Sequence, residues 1–188
     1  MSVSATGDDG MQYNLDVNGV ITDVFGLEKK RNDLAIQIEN GTKYGFALRF
    51  RVDHGALSST KGDWTLRPAA AGIASSYTVG VKAKGSGSNI VFLFEFTQPT
   101  DFKPIHLMAA TPTNKSNYTR CNTDGKPAET LGNGFGSSEK HYANDGPTYS
   151  ALHAKDSQVS DLAHAEMMIT GTSPAVCMFR IKSGPKPR

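Results

Sequence analysis

In the stretch LAIQIENGTKYGFALRFRV, residues 34–52, apolar residues recur at every second position: Leu34, Ile36 and Ile38, then Tyr44, Phe46, Leu48, Phe50 and Val52. Successive side chains of a strand point to opposite faces, so this period of two builds half-buried β-strands and is incompatible with a helical stripe. Asn40-Gly41 lies between the two runs. Both residues tolerate positive φ, so the pair predicts a hairpin joining 34–39 to 44–52. A second run, NIVFLFEF at 89–96, is apolar in both phases. Such a strand belongs at the centre of a sheet with both faces covered. Shorter strands are expected at Trp64–Leu66, Tyr77–Val81, Ile105–Ala109, His164–Thr170 and Ala175–Ile181. Many short strands with Gly/Pro turns indicate an all-β sandwich.

A chain of 188 residues is most simply one domain, here 1–188, large enough for a core without covalent staples. The net charge of +2 is too mild to argue for nucleic acid. No apolar run is long enough for a membrane-spanning helix, and MSVSATGDDG shows no secretory leader. Cys121 and Cys177 leave two alternatives open, a disulfide or two separate buried thiols. Asn40, Asn114 and Asn117 each open an N-glycosylation pattern, of a kind that chance supplies in a chain rich in Asn, Ser and Thr.

The texture changes at about 110–160, where Asn, Gly, Ser, Thr and Pro dominate. That composition predicts a long loop region with a short helix near 151–163. At the other end, residues 11–30 read two ways. A helix places Tyr13, Val17, Val20, Ile21, Val24 and Leu27 on one face, followed by Lys29, Lys30 and Arg31. A hairpin places Leu15 and Val17 before an Asn18-Gly19 turn, then Val20, Thr22 and Val24. Local propensity favours the hairpin.

Catalytic and metal chemistry find little footing. Asp53, His54 and Ser58 lie near one another in sequence, but adjacency does not make a relay, and no Gly-x-Ser-x-Gly elbow is present. His141, His153 and His164 lack zinc spacing with the cysteines. The glycines at 85–88 and 132–136 sit outside any strand–loop–helix phosphate cradle, and Glu95 reads as a poised acid or, as such residues more often are, an edge or paired carboxylate. No enzyme, no cofactor and no metal are expected. Tyr118, Tyr142 and Tyr149 fall in the polar region instead, where their rings suit a sugar, a quaternary ammonium or a bilayer interface.

Three stretches together resemble the actinoporins, β-sandwich pore-forming cytolysins that target sphingomyelin membranes. They are MQYNLDVNGVITDVFGLEKKRNDLAIQIENGTKYGFALRF, TVGVKAKGSGSNIVFLFEFTQPTDF with its Val-Gly-Val strand and Pro-x-Asp loop, and AHAEMMI near the end. They cover half to two-thirds of the chain. The family's Trp/Tyr-rich loop is replaced by KPIHLMAATPTNKSNYTR, and its Arg-Gly-Asp triplet is absent. The resemblance implies an actinoporin-like two-sheet sandwich with one or two short flanking helices. It implies a secreted protein that binds a sphingomyelin or phosphatidylcholine headgroup through Val79, Val81, Pro99, Asp101, Tyr118, Tyr142 and Tyr149, forming homo-oligomers on the membrane. It also favours the helix at 11–27 as a membrane-inserting segment. Fungal fruit-body lectins share the fold, so a glycan is the alternative ligand, and a non-lytic interaction protein a further one.

Overall fold

The computed structural model describes residues 2–6, 12–16, 32–54, 56–61, 65–70, 73–83, 87–98, 101–125, 140–156 and 158–188. They are all β, with no helix among the described residues. In chain order the strands are β1 (Ser2–Thr6), β2 (Gln12–Asp16), β3 (Leu34–Asn40), β4 (Gly45–His54), β5 (Ala56–Lys61), β6 (Thr65–Leu66) and β7 (Ser75–Lys82). They continue with β8 (Gly87–Gln98), β9 (Ile105–Pro112), β10 (Tyr118–Asn122), β11 (His141–Tyr142), β12 (Thr148–His153), β13 (Val159–Ile169) and β14 (Ala175–Ser183). One sheet has the order β11-β10-β9-β8-β4-β6 and the other β12-β13-β14-β3-β7-β5, while β1 and β2 pair with each other.

The doubly apolar run became β8, an interior strand between β9 and β4, as its pattern requires. Alternation sorts the rest. Leu34, Ile36 and Ile38 of β3, Ile105, Leu107 and Ala109 of β9, and Ala163, Ala165, Met167 and Ile169 of β13 join one core with Phe46, Phe179 and Ile181. Each large side chain removed from water there contributes about 1.5–3 kcal/mol.

The expected hairpin is not formed. Strand β3 lies in one sheet and β4 in the other. Both edges of β3 are taken, by β14 in parallel and β7 antiparallel, so the chain must cross between sheets. Asn40 makes that crossing stable rather than turning the strand back. Its buried amide donates to Tyr44 O (2.6 Å) and Arg67 O (2.9 Å), and its oxygen accepts from Thr42 N (3.0 Å) and Thr42 Oγ1 (2.8 Å). Gly41 N then donates to Ile181 O at 2.8 Å.

The helix expectations also fail where they can be compared. Residues 151–163 hold the end of β12 and the start of β13, and the 110–160 region contains β10, β11 and β12 rather than loop alone. At the N-terminus, β2 runs antiparallel to β1, with Tyr13 opposite Ala5. Thus 12–16 is strand, in line with its own propensity, and pairs with Ser2–Thr6; the 20–24 half of the expected hairpin lies outside the described residues. Val17, Val20, Ile21, Val24 and Leu27 lie outside the described residues.

Candidate ligand-binding surfaces

The two sheets leave a sandwich with two ends. The upper end is where β3 and β14 begin; the lower end is where they finish. Three connections meet at the upper end: 113–117, 143–147 and 170–174. Asn117 ties them, its side-chain amide donating to Thr170 O (2.9 Å) and Thr172 O (3.4 Å) and its backbone carbonyl accepting from Ala143 N (3.0 Å).

Tyr118 opens β10 and Tyr142 closes β11, directly opposite each other at the edge of the sheet. Their ring centroids are 6.0 Å apart at 60°. Tyr142 is 41% exposed, and the turn beyond it is fixed by Tyr142 N donating to Asp145 Oδ2 (2.6 Å) and Asp145 N donating to Tyr142 O (2.9 Å). The Lys140 ammonium stands 4.9 Å from the Tyr118 ring centroid. Burial pushes the Tyr118 phenol up from its ordinary value, against the charge of Arg120, which pulls it down.

The lower end has a different character. Ile73 is 74% exposed, Val159 61% and Leu162 56%. Ile73 stands on a closed turn in which Ala70 N donates to Ile73 O (3.1 Å) and Ile73 N to Ala70 O (2.9 Å). The base of that turn is pinned to the crossing described above: Arg67 O accepts from Asn40 Nδ2 and from Ser75 Oγ (2.5 Å), and Ala69 N donates to Thr42 O (2.7 Å). Pro68, Ala70 and Ala74 around it are exposed too. Val159 and Leu162 open β13, three strands away in the same sheet, or about 14 Å at the usual strand spacing. Lys43, Arg67, Lys103 and Lys155 share this end with Asp101, Asp156 and Asp161. Sequence periodicity gave no sign of this rim, because exposure of an apolar residue is decided by where its strand ends.

The residues expected to form one headgroup pocket are dispersed. Tyr118 and Tyr142 do come together. Asp101 is exposed at the lower end, where Lys155 N donates to its carbonyl (3.1 Å). From Ile105 to Ala110, the partner of Tyr118, is about 17 Å of strand. Tyr149 lies on β12 of the other sheet, its ring 6.1 Å from that of His164. Val79 and Val81 are fully buried in the core, so their side chains present no surface to a ligand. They share a face because one residue, Gly80, separates them. Pro99 lies outside the described residues.

Other candidate groups are occupied structurally. His153 Nδ1 is 2.8 Å from Thr123 Oγ1 and His164 Nδ1 is 3.0 Å from Gly184 O. Arg180 Nε donates to Glu39 Oε2 (2.9 Å), and Lys182 Nζ lies 2.9 Å from Glu166 Oε2. No group of three His, Cys, Asp or Glu is positioned for a metal among the described residues. Cys121, partly exposed, and Cys177, buried, are free thiols; burial pushes the Cys177 thiol up to about 12, and raises that of Cys121 against a hydrogen bond with Ser150. Of the three glycosylation patterns, Asn40 is buried, Asn117 is hydrogen-bonded and Asn114 is exposed.

No protein-family model and no curated protein matches the chain. Among solved structures it is similar to the lipid-binding protein Nakanori, with a TM-score of 0.56 at 10% identity, over 86% of this chain and 75% of that one. A lectin from Xerocomus chrysenteron matches with a TM-score of 0.45 at 15% identity, over 80% of this chain and 99% of the lectin. A protein from Alcaligenes faecalis follows at 0.37 and 12%, over 81% and 91%.

Proposed function

The chain adopts an all-β, actinoporin-like two-sheet sandwich, and from that premise we propose that it is a non-catalytic protein that binds membrane lipid, docking its lower end on a bilayer. The observation that carries this reading is the trio of large exposed side chains at that end, Ile73, Val159 and Leu162. An apolar tip standing on a hydrogen-bonded base lowers its free energy by entering the interfacial region, at about 1.5–3 kcal/mol for a side chain fully removed from water. The surrounding charges are mixed in sign. A polybasic surface would select anionic lipid; a belt of lysine, arginine and aspartate suits a zwitterionic headgroup such as phosphocholine. The likeness to a lipid-binding protein of the same fold supports the same reading.

Permeabilisation, oligomerisation on the membrane and secretion are steps beyond docking, implied by the family resemblance, and are measured separately. Co-sedimentation with sphingomyelin–phosphatidylcholine vesicles tests the docking. The wild type is expected to bind, and Ile73→Asp and Leu162→Asp each to weaken binding about tenfold or more. Equal binding by the variants, or no binding by the wild type, overturns the proposal. Dye release from the same vesicles then separates a cytolysin from a non-lytic lipid binder.

A further inference from the structure

We propose that the upper end carries a second site, for an acidic saccharide, built on Tyr142, Tyr118 and Lys140. The proposal does not rest on the lipid reading, because it uses the opposite end of the sandwich.

Tyr142 supplies the platform. It lies on the outermost strand in the order of its sheet, is 41% exposed, and packs beside the cross-strand ring of Tyr118 with centroids 6.0 Å apart. A ring with an open face and a polar hydroxyl suits the apolar C–H face of a pyranose with its hydroxyls around the rim. The rim here is polar: Asn114, Ser116 and Asn144 are exposed on the two adjoining turns. The turn carrying Tyr142 is locked by Asp145, so little order is lost when a ligand lands.

Lys140 supplies the charge preference. Held over the Tyr118 ring by cation–π attraction, an ammonium keeps donors for an anion while its position is restrained. Arg120 lies two residues beyond Tyr118 on the same strand face, and its charge reaches the Tyr118 phenol. Among the described residues of this cluster the acid is Asp145, which accepts from the Tyr142 backbone amide. A cationic ligand meets the opposite situation. The Tyr118 face that would receive a quaternary ammonium already holds one cation, and a second beside Lys140 and Arg120 is repelled. The shared chemistry is therefore a sugar bearing a carboxylate or a sulfate.

The test is titration of the full chain with 3′-sialyllactose, a heparin-derived hexasaccharide and neutral lactose. At least one acidic probe is expected to bind at least tenfold more tightly than lactose. Lys140→Gln should abolish that preference, Lys140→Arg should keep it, and Tyr142→Ala should weaken every saccharide that binds. Ile73→Asp should leave saccharide binding unchanged, and Tyr142→Ala should leave vesicle binding unchanged, so the two proposals fail separately. Absence of binding to both acidic probes overturns this proposal, as does an unchanged preference in Lys140→Gln.

Discussion

The two ends of the sandwich solve the same geometrical problem with different chemistry. At the lower end a fully buried amide, Asn40, gathers the β3–β4 crossing and the 67–74 turn, and the surface it supports is apolar at Ile73. At the upper end the half-buried amide of Asn117 ties its own turn to the 170–174 connection while its backbone carbonyl holds the 143–147 turn, and the surface beside it is an aromatic pair with a cation. A buried polar group left unsatisfied costs more than one that water can reach. The lower end should therefore be the more rigid scaffold, fit to hold apolar tips in water, and the upper end the more forgiving one.

The largest expected effect concerns the core that joins the ends. Cys177, buried and pushed up to about 12 from an ordinary value near 9, should carry about a thousandfold less thiolate than an exposed thiol below pH 9. Cys177 should resist iodoacetamide in the native protein at pH 8 and react when it is unfolded in urea, and the partly exposed Cys121 should label faster than Cys177 in the native protein. The sign of the pH dependence follows. The contribution of Cys177 to stability is complete below about pH 9 and is lost as pH rises from there towards about 12, where the unfolded chain releases a proton that the native core retains. Rapid native labelling of Cys177 at pH 8 would show a core open at one end, and labelling the end variants would show which.

Next in size is Asn40→Ala, expected to lower unfolding free energy by about 3 kcal/mol in urea titration, since Tyr44 O, Arg67 O and the Thr42 groups each lose one hydrogen bond in a buried setting. Asn117→Ala should cost about 1 kcal/mol, because water replaces much of what is lost. Equal losses would erase the distinction between the ends. The smallest effect is that of Tyr142→Ala, whose exposed edge position should keep the stability change within about 0.5 kcal/mol. A larger loss would make Tyr142 a structural pin and remove it as a ligand platform.

Periodicity in the sequence revealed where many strands lie but left their partners open. The alternation at 34–52 and the double apolar run at 89–96 sit in β3, β4 and β8, since a side chain's face is a local property. Asn40-Gly41 misled because a hairpin also needs a free strand edge, and distant strands β14 and β7 had taken both edges of β3. The polar region hid β10 to β12 for a related reason: Tyr149 opposite Glu166 and Tyr118 opposite Tyr142 are cross-strand pairs that no short window contains. Val79 and Val81 were legible as core, since alternation puts both on one face; the family resemblance drew them towards the pocket.

By itself, then, the sequence determined the β character, the central strand and the presence of tyrosines in a polar region, because propensity and period act within a few residues. The tertiary structure alone decided that Tyr118 and Tyr142 meet, that Asp101 and Tyr149 stand apart from them, and that Ile73, Val159 and Leu162 share one end. Those arrangements depend on which strands pair and where each one stops, and pairing is settled by competition for sheet edges and core volume across the whole chain.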